Sequence, residues 1–250
     1  MKSFFRKFRF RPELVGYVGV EREFFLLDSD TGAPIPRSAD FLRRVHDDKV
    51  WTHELSACQV EHRTAPCGDP DTLRANLDKG TDLGRKTAES MGCRMSAMSV
   101  ACEDMPLDVY PDARYRKIAG VIPRETLLAA CRVAGTHIHI GALDLDHAIE
   151  MHNRLTLFLD DLIRVGDKSD GERIRIYKVM APLWKPVSYR SRTHLFETAR
   201  SQGFEQNPRD CWNFVRISIH GTVEVRVFGA SDDADEVLSW ATLVAQIANG

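Results

Sequence analysis

The chain has 250 residues, 43% hydrophobic and 28% charged, the composition of a soluble folded protein with enough apolar residues for one sizeable core. Its 34 Lys and Arg against 36 Asp and Glu leave a net charge of −2, which gives no general attraction to nucleic acid or anionic lipid. No apolar run approaches the ~20 residues that cross a bilayer. Six cysteines (Cys58, Cys67, Cys93, Cys102, Cys131 and Cys211) form no C-x-x-C pair and read as reduced structural thiols of a cytoplasmic protein.

The N-terminus, MKSFFRKFRFRP, interleaves positive charge with Phe and lacks the continuous apolar stretch of a signal peptide. Residues 1–13 therefore read as a basic tail or edge segment, with membrane-surface contact as the other role for them, ahead of a single domain over 14–250. Leu14 to Leu27 predicts a strand that turns at Asp28-Ser29-Asp30-Thr31-Gly32. Cys58 to Thr64 predicts a second, stopped by Pro66. A helix is expected over Pro70–Met91, started by Asp71 or Pro70 and followed by Gly92. Residues 93–101 and 132–142 read as strands, separated by a polar stretch and the short helical pattern PRETLLAAC. Asp144–Val165 has the strongest helical period, 166–172 reads as a charged loop, and 173–209 shows no clear pattern. Gly221–Phe228 predicts a strand and Asp235–Ala248 a closing helix. This irregular alternation favours an α+β arrangement around one sheet over a regular parallel wind.

Successive side chains in a strand point to opposite faces. Glu21 and Glu23 thus share a face, as do His137 and His139, Glu224 and Arg226, and Glu61 and Arg63. Any one pair fits an ordinary sheet with one wet face. Four such strands in one chain predict a curved sheet whose concave face is a reaction chamber. Bringing Glu21, Glu23, Glu54, Glu61 and Glu224 together without counter-ions costs about 4 kcal/mol per close pair at an effective dielectric near 20. Their pKa values must rise, or cations must bind. Oxygen-rich sites with one histidine, His137 or His139, suit Mg²⁺ or Mn²⁺. Arg226 suits a phosphate oxygen, and carboxylates, divalent metal and arginine together are the parts of phosphoryl transfer. Neither a G-x-x-x-x-G-K-[ST] loop nor a G-x-G-x-x-G turn is present.

In order, VGVEREFFLLD, ELSACQVEHRTAPC, RYRKIAG, AGTHIHIGALDLDHAIEMHNRL and GTVEVRVFGA resemble the motifs of the carboxylate–amine ligases of the glutamate–cysteine ligase type 2 family, within the glutamine synthetase-like superfamily. The resemblance runs from about Gly16 to Ile247. It implies a mainly antiparallel sheet curled into a funnel, with helices outside and metals on the inner wall. It implies ATP and Mg²⁺ (or Mn²⁺), with Glu21, His137 and Glu224 holding one metal and Glu23, Glu61 and Glu54 another. It places Arg226 on the transferring phosphoryl group, with Arg216 before the same strand. Arg114 and Arg116 match its R-Y-R motif, as nucleotide or ligand contacts or as a surface pair. Ser188-Tyr189-Arg190 or Ser191-Arg192 stands where the family carries S-x-R.

The expected reaction joins a glutamate-like carboxylate to a cysteine-like or other amine through an acyl phosphate, in an enzyme of small-molecule substrates whose exposed sheet edges allow a homodimer. The alternatives are a peptide or protein amidoligase of the same superfamily, a guanidino phosphotransferase, a zinc amidohydrolase using His194 and His220, and a shortened non-catalytic relative that binds a nucleotide or amino acid.

Overall fold

Strand β1, Val18–Asp28, is the spine of the fold in the computed structural model, which describes residues 1–45 and 49–250. Among the described residues six more strands join it: β2 (Trp51–His53), β3 (Gln59–Arg63), β4 (Cys93–Ser96), β5 (Gly135–Gly141), β6 (Val215–Ile217) and β7 (Thr222–Gly229). Their order is β2-β3-β1-β5-β7-β6. Every one of these pairings is antiparallel. β5 pairs with Val18–Arg22 and β4 with Phe25–Asp28, so the two follow one another along one edge of β1. The expected α+β architecture, a mainly antiparallel sheet with helices outside, is what the structure has, and the sheet is open, with β2 and β6 at its ends.

The helices are α1 (Lys2–Phe5), α2 (Ser38–Val45), α3 (Pro70–Glu89), α4 (Ala113–Ala119), α5 (Arg124–Arg132), α6 (Leu145–Leu157), α7 (Leu159–Gly166), α8 (Glu172–Met180), α9 (Arg192–Ser201) and α10 (Ala234–Asn249). Several start at short acidic caps, whose side chains accept otherwise unpaired first-turn amides. Asp69 accepts from Thr72 N ahead of α3, Asp144 from His147 N ahead of α6, and Asp233 from Asp235 N and Glu236 N ahead of α10. No helix among the described residues is long and apolar enough to cross a membrane.

Helices α3, α6, α7 and α10 lie against the sheet and each other, burying Val20, Ile138, Ile140, Val223, Val225 and Val227. Phe228 stacks on Trp240 with ring centroids 5.0 Å apart, and Trp51 meets Phe41 at 5.0 Å and Phe24 at 6.0 Å. All six cysteines are free, and only Cys102 is exposed.

Several elements differ from the sequence expectation. The strand read from Leu14 begins at Val18, because Pro12–Leu14 forms a 3-10 turn. The long helix 144–165 divides at Phe158 into α6 and α7. The strand expected over 93–101 stops at Ser96, and Val100 makes only an isolated bridge to Val133. The unpatterned 173–209 holds most of α8 and all of α9, and the polar stretch before PRETLLAAC contains α4. The first residues are neither a strand nor a loose tail: residues 2–5 are helical, and Phe4 and Phe8 are buried in the main core.

Candidate active site

Strand register assembles the site. Across β1 and β3, Glu23 lies opposite Glu61 and Glu21 opposite Arg63. Glu21 also lies opposite His137 on β5, and His139 opposite Glu224 on β7. Arg216 on β6 faces Glu224 from the other side. Cross-strand partners project to the same face, so these groups converge on one wall. Thr136 pairs with Phe228 but Ile138 with Val225, so β7 carries one extra residue there. That bulge keeps Glu224 and Arg226 inward yet returns Phe228 to the core side.

Among the described residues, three sets of potential ligand atoms each lie within 4.8 Å of one another: Glu21, His139 and Glu224; Glu21, Glu61 and His137; and Glu23, Glu54 and Glu61. The third matches the expected second metal set. In the first, His139 stands where the family resemblance suggests His137, while His137 sits between the lobes. Glu21 Oε2 is 3.3 Å from both His137 Nδ1 and His139 Nε2. His137 Nε2 is 3.6 Å from Glu23 Oε1, and its Nδ1 is 3.9 Å from Glu224 Oε1. His139 Nε2 is buried among the carboxylates, 3.3 Å from Glu21 Oε2 but outside hydrogen-bond geometry with it. Glu224 is gripped from both sides: Arg216 Nε donates to Oε2 at 2.7 Å and an Arg226 guanidinium N–H to Oε1 at 2.8 Å.

The electrostatics divide this wall. Burial acts to raise the Glu224 pKa, but the Arg216 and Arg226 guanidiniums outweigh it and hold it at about 2. Burial likewise opposes ionisation of Glu21, yet His139 and His137 hold it well below the ordinary value. At the other lobe burial wins. It pushes Glu23 up to about 8 with help from Glu54, and Glu61 well above its usual value through burial and the charges of Glu21 and Glu54. Burial and then Arg226 lower His137 to about 4, while for His139 burial is overcome by Glu21 and Glu224, which raise it. Buried carboxylates crowded against one another, together with imidazole nitrogens, suit a hard divalent cation.

A central cavity of about 270 Å³ runs over this wall, with Arg114, Trp212, Arg216 and Arg226 on its sides. Arg226 lies under the half-exposed Trp212 ring, 5.4 Å from its centroid. An inner pocket of about 100 Å³ shares Glu54, His137, Trp212 and Arg226 and adds Glu23, Gln59, Arg173 and Tyr177. Arg173, on α8, is fully buried and donates to the carbonyls of Ala134 (2.8 Å), Val227 (3.0 Å) and Arg226 (3.2 Å). Gly135 makes room for it, since a Cβ there would fall 2.2 Å from its guanidinium. Tyr177 donates to Trp212 O at 3.0 Å.

The expected residues Glu21, Glu23, Glu54, Glu61, His137, Arg216, Glu224 and Arg226 are thus brought together. Arg114 lines the central cavity, whereas Arg116 is exposed on α4 and does not. Ser191 caps α9, and Arg192 pairs with Asp146 on the outer surface at 2.6 Å. Tyr189 is buried against His152 (4.5 Å between ring centroids), so the S-x-R candidates lie away from the wall. His194 accepts from Arg190 N, and only His220 of the two histidines of the hydrolase alternative lines the cavity. Sequence reasoning singled out neither Arg173, Tyr177 nor Trp212, and it offered His139 only as the alternative to His137. For His139 the signal was present in the H-x-H alternation.

A profile of glutamate-cysteine ligase family 2 matches residues 17–162, more than half of the chain. The chain belongs to glutamate-cysteine ligase family 2. A Mycobacterium sp. (strain KMS) protein named "Putative glutamate--cysteine ligase 2-2" is 33% identical over 159 residues, covering 61% of this chain and 42% of that protein. A Rhodococcus jostii (strain RHA1) protein named "Putative glutamate--cysteine ligase 2-3" is 27% identical over 241 residues, covering 90% of this chain and 30% of that one. The matched stretches thus cover less than half of these curated relatives, 42% and 30% of their lengths. A bifunctional glutathione synthetase from Pasteurella multocida shares the fold with a TM-score of 0.65 at 14% identity, over 94% of this chain and 38% of that one. Plasmodium falciparum glutamine synthetase does so at 0.52 and 11%, over 95% and 52%. In this family member the matched segment holds both glutamates of β1, Glu54, Glu61 and the two histidines of β5; Glu224 and Arg226 lie beyond it.

Proposed function

We propose that the protein is an ATP- and divalent-metal-dependent carboxylate–amine ligase that forms an amide through an acyl phosphate, with residues 14–250 as the catalytic domain. The observation that carries this is the convergence of four glutamates, two histidines and two arginines on one face of one sheet, with Glu54 joining them from the loop after β2. Glu21, His139 and Glu224 would hold one cation, with His137 beside them, and Glu23, Glu54 and Glu61 a second. Bound there, Mg²⁺ or Mn²⁺ would neutralise phosphate oxygens and the substrate carboxylate so that like charges can meet.

The chain's own residues supply the rest. Arg216 and Arg226 keep Glu224 ionised, and Arg226 turns its remaining N–H groups to the cavity, where spread phosphoryl charge is stabilised by fixed donors. The acid enters from the side of Glu23 and the buried Arg173. Its carboxylate oxygen attacks the γ-phosphorus and ADP leaves. An amine then attacks the acyl carbon, loses a proton and expels phosphate. Trp212, held by Tyr177 and stacked on Arg226, shields that acyl phosphate from water.

The test follows ADP release with Mg²⁺ or Mn²⁺, glutamate and a panel of amines added singly, with mass spectrometry of the product. Amine-dependent ADP and a new amide are expected, both lost in His137→Ala. ATP binding with no turnover for any pair would favour the non-catalytic relative.

A further inference from the structure

The basic, Phe-rich N-terminus has no part in the chemistry above, yet it is tied to the site. Phe4 and Phe8 anchor it in the core, with the Phe4 ring 5.6 Å from Phe196. From there the chain crosses the ends of β5 and β7 as a strap. Arg9 N donates to Ile219 O at 2.9 Å, Gly16 N to Gly141 O at 3.0 Å, and Gly141 N to Tyr17 O at 2.9 Å. Two sheet glycines admit no side chain because of it. A Cβ on Gly141 would lie 2.0 Å from Leu14 O, and one on Gly221, whose φ is 75°, 2.5 Å from Arg9 O.

The strap leaves a cavity of about 160 Å³ between itself and the sheet. Arg11, Leu14 and Tyr17 line it from the strap, and Glu21, His139 and Thr222 from the sheet. Glu21 and His139 also line the central cavity, so one elongated ligand can occupy both. Its volume matches that of an apolar cavity that takes a single aromatic ring, about 150 Å³. A half-exposed phenol, an aliphatic side chain and one guanidinium suit a flat heteroaromatic ring with an anionic neighbour, and the inner pocket at the opposite lobe is left for the acid.

We infer that the strap Arg11–Tyr17 is a wall of the nucleotide site and receives the nucleoside end of a nucleoside triphosphate whose phosphates face Glu21, His139 and Glu224. The inference rests on the ligase reading. It makes Tyr17 a stacking surface and Arg11 a contact to the sugar–phosphate junction, and it gives the N-terminus a ligand-binding role that its position before the first motif conceals.

Calorimetric titration of the full chain in Mg²⁺ with two probes, ADP and inorganic tripolyphosphate, tests it. Tyr17→Ala should weaken ADP about tenfold, the usual size of a lost base–aromatic stack, and leave tripolyphosphate within about twofold; Tyr17→Phe should bind ADP as wild type does. Arg11 is exposed, so Arg11→Gln preserves packing and should also weaken ADP. Glu21→Gln should weaken both probes. If Tyr17→Ala and Arg11→Gln bind ADP normally while Glu21→Gln does not, the strap assignment falls and the ligase reading stands. Equal weakening of both probes by Tyr17→Ala would also overturn the assignment. A wild-type chain that binds neither probe would overturn both.

Discussion

The two faces of β1 carry charge in opposite ways. Inward, Glu21 lines the central cavity and Glu23 the inner pocket beside it, where carboxylates outnumber their cations, and burial raises the Glu23 pKa to about 8. Outward, Arg22 is sealed beneath α3 between Val20 and Phe24. It donates to Leu77 O at 2.7 Å and lies 3.1 Å from His62 Nδ1, while its Nε and second terminal nitrogen have no hydrogen-bond partner. Burial lowers Arg22 only to about 10, so it stays charged at neutral pH, and drives His62 to about 3, with Arg22 adding to it. Gly80 completes this nest, because a Cβ there would fall 1.9 Å from His62 Nε2. The outer charge is fixed and paired with neutral acceptors. The inner charge is left to be balanced by something that comes and goes.

If the outer face serves stability alone, Phe24→Ala should cost about 3–5 kcal/mol in urea denaturation, with no loss of Mn²⁺ affinity in the folded fraction. A changed affinity would mean that the faces are coupled. The inner face predicts the reverse. Glu21→Gln should lower kcat/KM for the ligation by on the order of 10²–10³-fold, while its denaturation midpoint moves little.

A smaller effect separates the faces by pH. Buried His62, His137 and His152 have folded values of about 3, 4 and 4, below an ordinary 6.5. The unfolded chain binds their protons more readily, so stability rises with pH up to about 6.5. Glu23 has a folded value near 8 against an ordinary 4.5, so from about 4.5 to 8 the folded state holds the extra proton, and above 6.5, where the histidines no longer offset this, stability falls. Between pH 6.5 and 8 the metal-free protein should lose about 2 kcal/mol from this group. Thermal melts should show that decline in chelator and its disappearance in Mg²⁺; a decline unaffected by Mg²⁺ would place its source elsewhere. Smallest of all, Asp144→Ala removes the α6 cap and should cost about 1 kcal/mol with no change in ligand binding.

Most of the inner wall was legible in sequence because β1, β3, β5 and β7 alternate strictly around their glutamates and histidines. Which carboxylates each histidine meets was not, since period 2 puts His137 and His139 on one face, and only the cross-strand register brings His139 level with Glu224 while His137 groups with Glu21 and Glu61. Arg173 and Tyr177 were hidden because α8 is buried at polar and apolar positions alike, leaving no amphipathic period. The break between α6 and α7 escaped notice because Leu155, Leu159 and Leu162 continue one apolar stripe through Phe158. The strap was misread because its anchors, Phe4 and Phe8, are interleaved with exposed basic residues and their partner Phe196 is far away in sequence.

The most direct measurement counts Mn²⁺ bound per chain, by the electron paramagnetic resonance signal of free Mn²⁺, in wild type, Glu23→Gln and His139→Ala. Two saturable ions in wild type, with each substitution removing a different one, is the predicted result. No saturable binding, or a count that neither substitution changes, would contradict the claim that the inner wall exists to hold cations.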